Sequence, residues 1–385
     1  MQRAIPLAGL CLAVFLVMIG MGMVVVALPE KYLQSSGTLR SSGWLASSFA
    51  LSYMLFQYPA GRRADKYGYR QVLACGCFLI AVSGAVYSFA QTPAAIYAGR
   101  FIQGAGEAPI WASAPALLGQ RYPSMRGRVM GLYNAAFHIG LMLGPVIGAR
   151  FSTTTGIGPF PAFSSLSLGA LLIVLFTVRD STPAHEETPA PASPAVGSNR
   201  SVWRMVCGLP LFGAVYGLFV SSFPVYLTTE AAFTQERLGT FFFSAYSGLA
   251  AGQLLAGTFS DRYGRTPFMA GGLWIISGGL VSFIMAPLLF ANITAAASGF
   301  GLGVFAVSSM AFMNESYPDQ RKGTASGMYY LAWGSGYFVG PLLVNLAGLS
   351  FGVLALASYS LVVSALIMQG QLALPGGKRA LPGRK

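Results

Sequence analysis

This sequence predicts an all-α membrane protein with twelve transmembrane helices in two pseudo-symmetric six-helix bundles. Three observations carry that prediction. The 385 residues are 54% hydrophobic and 9% charged, with a mean hydropathy of +0.60, whereas soluble domains carry about 25% charged residues. Apolar runs near the roughly 20 residues that cross a bilayer recur along the whole chain. The stretch GRRADKYGYR at 61–70 returns as GTFSDRYGRT at 257–266, 196 residues later.

The spans fall in order. The first, 4–28, starts almost at the first Met and lacks a small-residue cleavage pattern, so it reads as a membrane span rather than a removed leader. The second, 43–60, ends at the first charged knot. The third, 71–90, holds Cys75 and Cys77 as small packing residues; neither has a His or Cys at metal-ligand spacing. The fourth, 95–118, contains Arg100 and Glu107, and the fifth, 130–151, contains His138 and GLMLGPVIG. The sixth, 161–178, closes the first half. A Pro-, Ala-, Ser- and Thr-rich stretch follows, with no apolar period, and reads as a solvated linker. The second half repeats the series at 205–227, 239–256, 268–285, 289–313, 324–346 and 350–373. The expected units are 1–178, a linker at 179–203, 204–373 and a tail at 374–385. Lipid-exposed backbone must satisfy its own hydrogen bonds, so these long runs are helices.

Charge sets the topology. Of 24 Lys and Arg, 19 lie in the termini, the linker and the loops on their side; Lys31, Arg40, Arg150 and Arg237 face the other way. The positive-inside rule then puts both termini and the linker in the cytoplasm, which means the cell (inner) membrane. The same rule accounts for the net charge of +13, so no nucleic-acid partner is expected; the surrounding partner is membrane lipid. There is no P-loop, zinc spacing or nucleophile elbow. We therefore expect no enzyme activity, no catalytic residue, no metal and no cofactor.

The offset holds elsewhere. GLMLGP at 140–145 answers GYFVGP at 336–341, and Gly131 and Tyr133 answer Gly327 and Tyr329. The chain therefore reads as two homologous halves. Each charged knot asks for a Gly where the backbone turns closely and for an Asp that pairs with neighbouring cations or a helix N-terminus.

In the fourth span, Arg100 and Glu107 stand seven residues apart, about 10.5 Å along one helix face. A charge in mid-membrane costs about 2.5–3.5 kcal/mol on insertion scales, so this pair marks a wet cavity. Gly140, Gly144 and Gly148 form a small-residue stripe for close helix contact, and Pro145 bends the helix. His138 is a satisfied interior residue or a proton relay. Tyr53, Gln57, Gln103, Asn134, Tyr216, Tyr246, Gln253, Tyr329 and Trp333 are candidate lining residues for a small-molecule substrate near the midplane.

Twelve spans in two halves, with Gly61, Asp65, Lys66, Gly68 and Arg70 echoed by Gly257, Asp261, Arg262, Gly264 and Arg265, resemble the major facilitator superfamily of secondary transporters. The resemblance covers essentially the whole chain. It is most like the branch that exchanges drugs or metabolites for protons. Tyr69 and Thr266 replace cations of the family pattern. The resemblance implies that both Asp-centred clusters are conformational gates closing the cytoplasmic side. It also implies that Arg100, in R-x-x-Q-G-x-G, takes part in proton coupling, with Glu107 as the group that titrates. The Gly-Pro pattern of the fifth span is associated there with proton-exchanging exporters. The implied function is a proton-coupled antiporter, a monomer by default, exporting small hydrophobic compounds or metabolites by alternating access. Other readings stay open. Arg100 and Glu107 could form a static ion pair, or Arg100 could bind an organic anion or lysolipid directly. A non-transporting receptor or scaffold is a further alternative.

Overall fold

The computed structural model of the chain describes residues 4–36, 43–155, 158–179, 200–223, 226–227, 230–286 and 288–372. Among them run twelve long helices: α1 (Ala4–Ser36), α2 (Gly43–Tyr67), α3 (Tyr69–Phe89), α4 (Pro93–Arg121), α5 (Arg126–Thr155), α6 (Pro159–Thr177), α7 (Arg200–Gly217), α8 (Gln235–Tyr263), α9 (Arg265–Met285), α10 (Ala291–Ser316), α11 (Lys322–Ala347) and α12 (Leu349–Leu372). A π-helical turn, Leu218–Ser222, continues α7. Most of the expected linker and the expected tail lie outside the described residues, as do Arg3 and Arg40.

Packing repeats with the sequence. In the first half α1 lies on α5 and α6, and α4 on α2 and α3; in the second half α7 lies on α11 and α12, and α10 on α8 and α9. The halves meet through α2 on α11, α5 on α8, and α4 on α11. Eight helices are long and apolar enough to cross a membrane by composition: α1, α3, α5, α6, α7, α9, α10 and α12. The remaining four, α2, α4, α8 and α11, all touch the opposite half. A helix face turned toward protein or water does not need lipid-compatible side chains, so apolarity falls in these four, although α5 meets α8 and is still apolar enough to cross.

The small-residue stripe of α5 packs against α1. Gly140 lies against the Phe15 carbonyl, Gly144 against the Ile19 carbonyl, and Gly148 against the Met23 side chain, all on α1. Its echo binds α11 to α7, where a Cβ on Gly336 would overlap the Pro210 carbonyl. Gly336→Ala should therefore force the helices apart and cost about 1–3 kcal/mol, read as a lower unfolding midpoint in detergent. Gly271→Ala, where a Cβ meets nothing within 4 Å, should not.

Candidate functional site

Two features lie where the halves meet, a pair of latches at the end carrying both charged repeats and a cavity nearer the middle. The repeats differ from the sequence expectation in one respect. The spans predicted to end at 60 and 256 continue as helix to Tyr67 and Tyr263, so Gly61 and Gly257 are helical residues and not turns. They serve contact between halves: a Cβ on Gly61 would overlap the Gly323 carbonyl, and one on Gly257 would stand 2.5 Å from the Gly127 carbonyl. The turns belong to Gly68 and Gly264, at φ +96° and +92°, a region that favours glycine.

Each Asp caps a helix of the other half. Asp65 accepts from the Gly323 and Thr324 amides and the Thr324 hydroxyl, all at 2.7 Å, and from the Tyr69 hydroxyl at 3.2 Å. Those amides open α11. Asp261 accepts from the Gly127 and Arg128 amides at 2.9 Å, which open α5. All three positions are related by the same offset of 196 residues. A carboxylate at a helix N-terminus meets both free N–H groups and the positive end of the helix dipole. Burial raises the Asp65 carboxyl above its usual value, against the pull of these hydrogen bonds.

The expected pairing with neighbouring cations needs correction. Arg70 reaches the Leu175 carbonyl at 2.7 Å, Lys66 lies 5.0 Å from the Tyr67 ring, and Arg262 lies 5.4 Å from the Tyr263 ring. Arg265 behaves as expected. It pairs with Asp261 and with Glu315, the latter at 2.7 Å. Its counterpart in the first half is Tyr69, so the two latches are not equal. Buried Lys322 donates to the Gly119 carbonyl at 3.3 Å and pairs with Asp319; burial lowers its ammonium pKa. Both Asp caps thus join one half to the other at this end.

The cavity, about 170 Å³, is bounded by both halves. Tyr53, Asn134, Tyr216, Tyr246, Gln253 and Trp333 line it, together with Glu107, His138 and further aromatics. Trp111 of the first half and Tyr330 of the second sit 5.0 Å apart between ring centroids, and Tyr53 and Trp333 6.1 Å. Gln57, Gln103 and Tyr329, expected in the lining, are outside it. Tyr329 is tied to Ser309 at 2.9 Å within the second half. Gln57 is fully buried, with neither amide atom hydrogen-bonded. Its counterpart by the offset, Gln253, meets His138 Nδ1 at 3.1 Å; at the position equivalent to His138 stands Gly334, which offers Gln57 nothing. His138 Nδ1 also lies 2.8 Å from the Asn134 carbonyl. A carbonyl only accepts, so Nδ1 carries a proton and Nε2 is left for the cavity.

Gln103 has another place. Its Oε1 accepts from Tyr87 Oη at 2.7 Å and Arg100 Nη1 at 3.2 Å, while its Nε2 donates to Glu107 Oε1 at 3.1 Å. Arg100 is a donor only, so it fixes the amide orientation and makes Gln103 present N–H to Glu107. One amide therefore bridges the two charges that the helical rise alone leaves about 10.5 Å apart. Arg100 is held by the Leu45 carbonyl at 3.0 Å and by the Phe49 ring at 5.2 Å, and is not in the cavity lining. The spacing i, i+3, i+7 holds this bridge in plain view, because i+3 and i+4 neighbours touch on a helix. Gln103→Leu should cut Arg100 off from Glu107 and leave the Gln103 cavity-facing neighbours in place. The expected result is a shifted pH profile of transport; an unchanged profile would remove Gln103 from the account.

Comparison with known proteins gives a consistent result. The family described as the Major Facilitator Superfamily matches residues 10–341 and, in a second alignment, 235–375. An uncharacterized MFS-type transporter of Methanocaldococcus jannaschii is 24% identical over 365 residues, covering 92% of this chain and 94% of that one. The class B tetracycline resistance protein of Escherichia coli is 23% identical over 225 residues, 57% of this chain and 56% of that protein. Among solved structures, the human organic anion transporter TETRAN superposes with a TM-score of 0.81 at 17% identity, over 95% of this chain and 99% of that one. The Escherichia coli fucose:proton symporter FucP gives 0.77 at 16% identity, over 96% and 99%. At such identities the superpositions speak for fold.

Proposed function

The chain belongs to the Major Facilitator Superfamily, and from that premise we propose that it is a proton-coupled antiporter exporting small, largely hydrophobic compounds by alternating access. It is a multi-pass membrane protein. The rest of its setting belongs to the proposal: an inner membrane, both termini and the latch end in the cytoplasm, halves divided near 178 and 204, and one chain as the working unit. The observation that carries the reading is Glu107, the lone carboxylate lining a mainly aromatic and apolar cavity between the halves, beside the neutral polar groups of Asn134, Gln253 and His138. Such a group stays in a membrane protein for a pathway or a proton. Through Gln103 it feels Arg100 without exposing that cation to the solute. A proton on Glu107 and a solute in the cavity would then compete, which is the minimum an exchanger needs.

The organic-anion alternative loses support from the same geometry. Its ligand, Arg100, lies behind Gln103 and Phe49, and the cavity offers an anion a carboxylate. The likeness to a tetracycline resistance protein favours efflux over uptake. The volume, below the roughly 300–1,000 Å³ of drug-sized sites, favours a compact solute in the closed-latch state. The test is a panel of fluorescent and antibiotic solutes in cells stripped of their own efflux pumps. The proposal expects lower accumulation of at least one solute on expression, restored by a protonophore. Reduced accumulation that survives the protonophore would defeat proton coupling.

A further inference from the structure

We propose that the α2–α11 latch carries a binding site for an anionic phospholipid headgroup, absent from the α5–α8 latch. The proposal rests on the membrane orientation given above and not on proton coupling. A groove of about 430 Å³ lies at the latch end, lined by Tyr58, Arg62, Asp65 and Lys66 of α2 and by Arg321 and Thr324 across the junction. It adjoins a second hollow of about 360 Å³ on the flank of α2, which adds Arg63 and Tyr67. Arg62, Arg63, Lys66 and Arg321 are exposed, and none takes part in an ion pair among the described residues. The one carboxylate in the groove, Asp65, has its oxygens engaged by four donors. What remains for a ligand is positive charge beside two exposed tyrosines (Tyr58 at 42% and Tyr67 at 56%).

The other latch shows what is particular here. At the positions equivalent to Tyr58, Arg62, Arg63 and Arg321 stand Leu254, Thr258, Phe259 and Met125. That latch is closed by its own ions, Asp261, Arg265 and Glu315, where the first half has Tyr69 and Gly119. One latch thus carries its counter-charges inside and has Arg128 and Arg262 exposed beside it, whereas the other gathers four exposed cations, Arg62, Arg63, Lys66 and Arg321, around adjoining hollows. Basic pockets between helices at the cytoplasmic face suit anionic headgroups, and tyrosines sit at headgroup level. Because the groove takes residues from both halves, it exists only while this latch is closed. A lipid bound there favours the closed state by its differential affinity.

The test uses the purified full chain in detergent with phosphatidylglycerol or phosphatidylcholine at equal concentration, and native mass spectrometry counts retained lipid. Wild type should hold phosphatidylglycerol in preference. The double change R62Q/R321Q should weaken that retention about thirtyfold, from two cations near an anionic group. R128Q/R262Q, at the other latch and outside the lining of either hollow, should alter it less than about threefold, since the attraction falls off within a Debye length. In nanodiscs containing phosphatidylglycerol, the Gly323 and Thr324 amides should exchange hydrogen more slowly than in phosphatidylcholine alone. Equal retention of both lipids, undiminished retention by R62Q/R321Q, or displacement by equimolar inorganic phosphate overturns the site. Unchanged exchange at Gly323 and Thr324 overturns its coupling to closure.

Discussion

Glu107→Gln is expected to leave the protein folded and able to bind its solute but unable to concentrate it. The replacement keeps size and shape, and its carbonyl can still accept from Gln103 Nε2, which now meets Glu107 at 3.1 Å. What disappears is the group that gains and loses a proton. One proton moving through 100 mV carries about 2.3 kcal/mol, enough for a concentration ratio of roughly fifty. In proteoliposomes driven by an imposed gradient of that size, the ratio should fall from about fifty toward one. Exchange of labelled for unlabelled solute, which needs no net proton movement, should persist. Gradient-driven accumulation at the wild-type level would remove Glu107 from the mechanism.

The second large effect is expected at the latches, and it should be unequal. Asp65→Asn turns half of the carboxylate into a donor facing the Gly323 and Thr324 donors. A hydrogen bond to a charged group contributes about 1.5–3 kcal/mol, so closure should weaken by about 2 kcal/mol, roughly thirtyfold. Asp261→Asn loses the same kind of cap on α5, yet Arg265 keeps Glu315 at 2.7 Å. Its effect should be smaller. The readout is hydrogen exchange at the capped amides, Gly323 and Thr324 for Asp65→Asn and Gly127 and Arg128 for Asp261→Asn. Equal acceleration by both substitutions would contradict the asymmetry.

Much of this architecture is legible without coordinates, for a definite physical reason. Lipid forces backbone bonds inward, so each apolar run of bilayer length becomes a helix, and the repeat at 196 residues predicts matching packing in both halves. What the sequence obscured was contact at long separation. Asp65 and Thr324 lie 259 residues apart, and only after the offset is applied to Asp261 and Arg128 does their pairing look inevitable. Gly61 read as a turn because glycine serves both turns and close helix contact; a flanking pattern cannot tell them apart. The lining residues were hardest. Gln57 and Gln253 are equivalents, yet only the second faces the cavity, because His138 has no counterpart across the pseudo-symmetry.

The central claim is that the two halves rock about the cavity, with the latches closed in one state and open in the other. The most direct measurement is the distance between spin labels at Tyr67, on the end of α2, and Gln320, beside the start of α11, in a background without native cysteines. The account predicts two distance populations, the shorter dominant in wild type and the longer gaining under Asp65→Asn. A single distance that neither this substitution nor a proton gradient moves would contradict it.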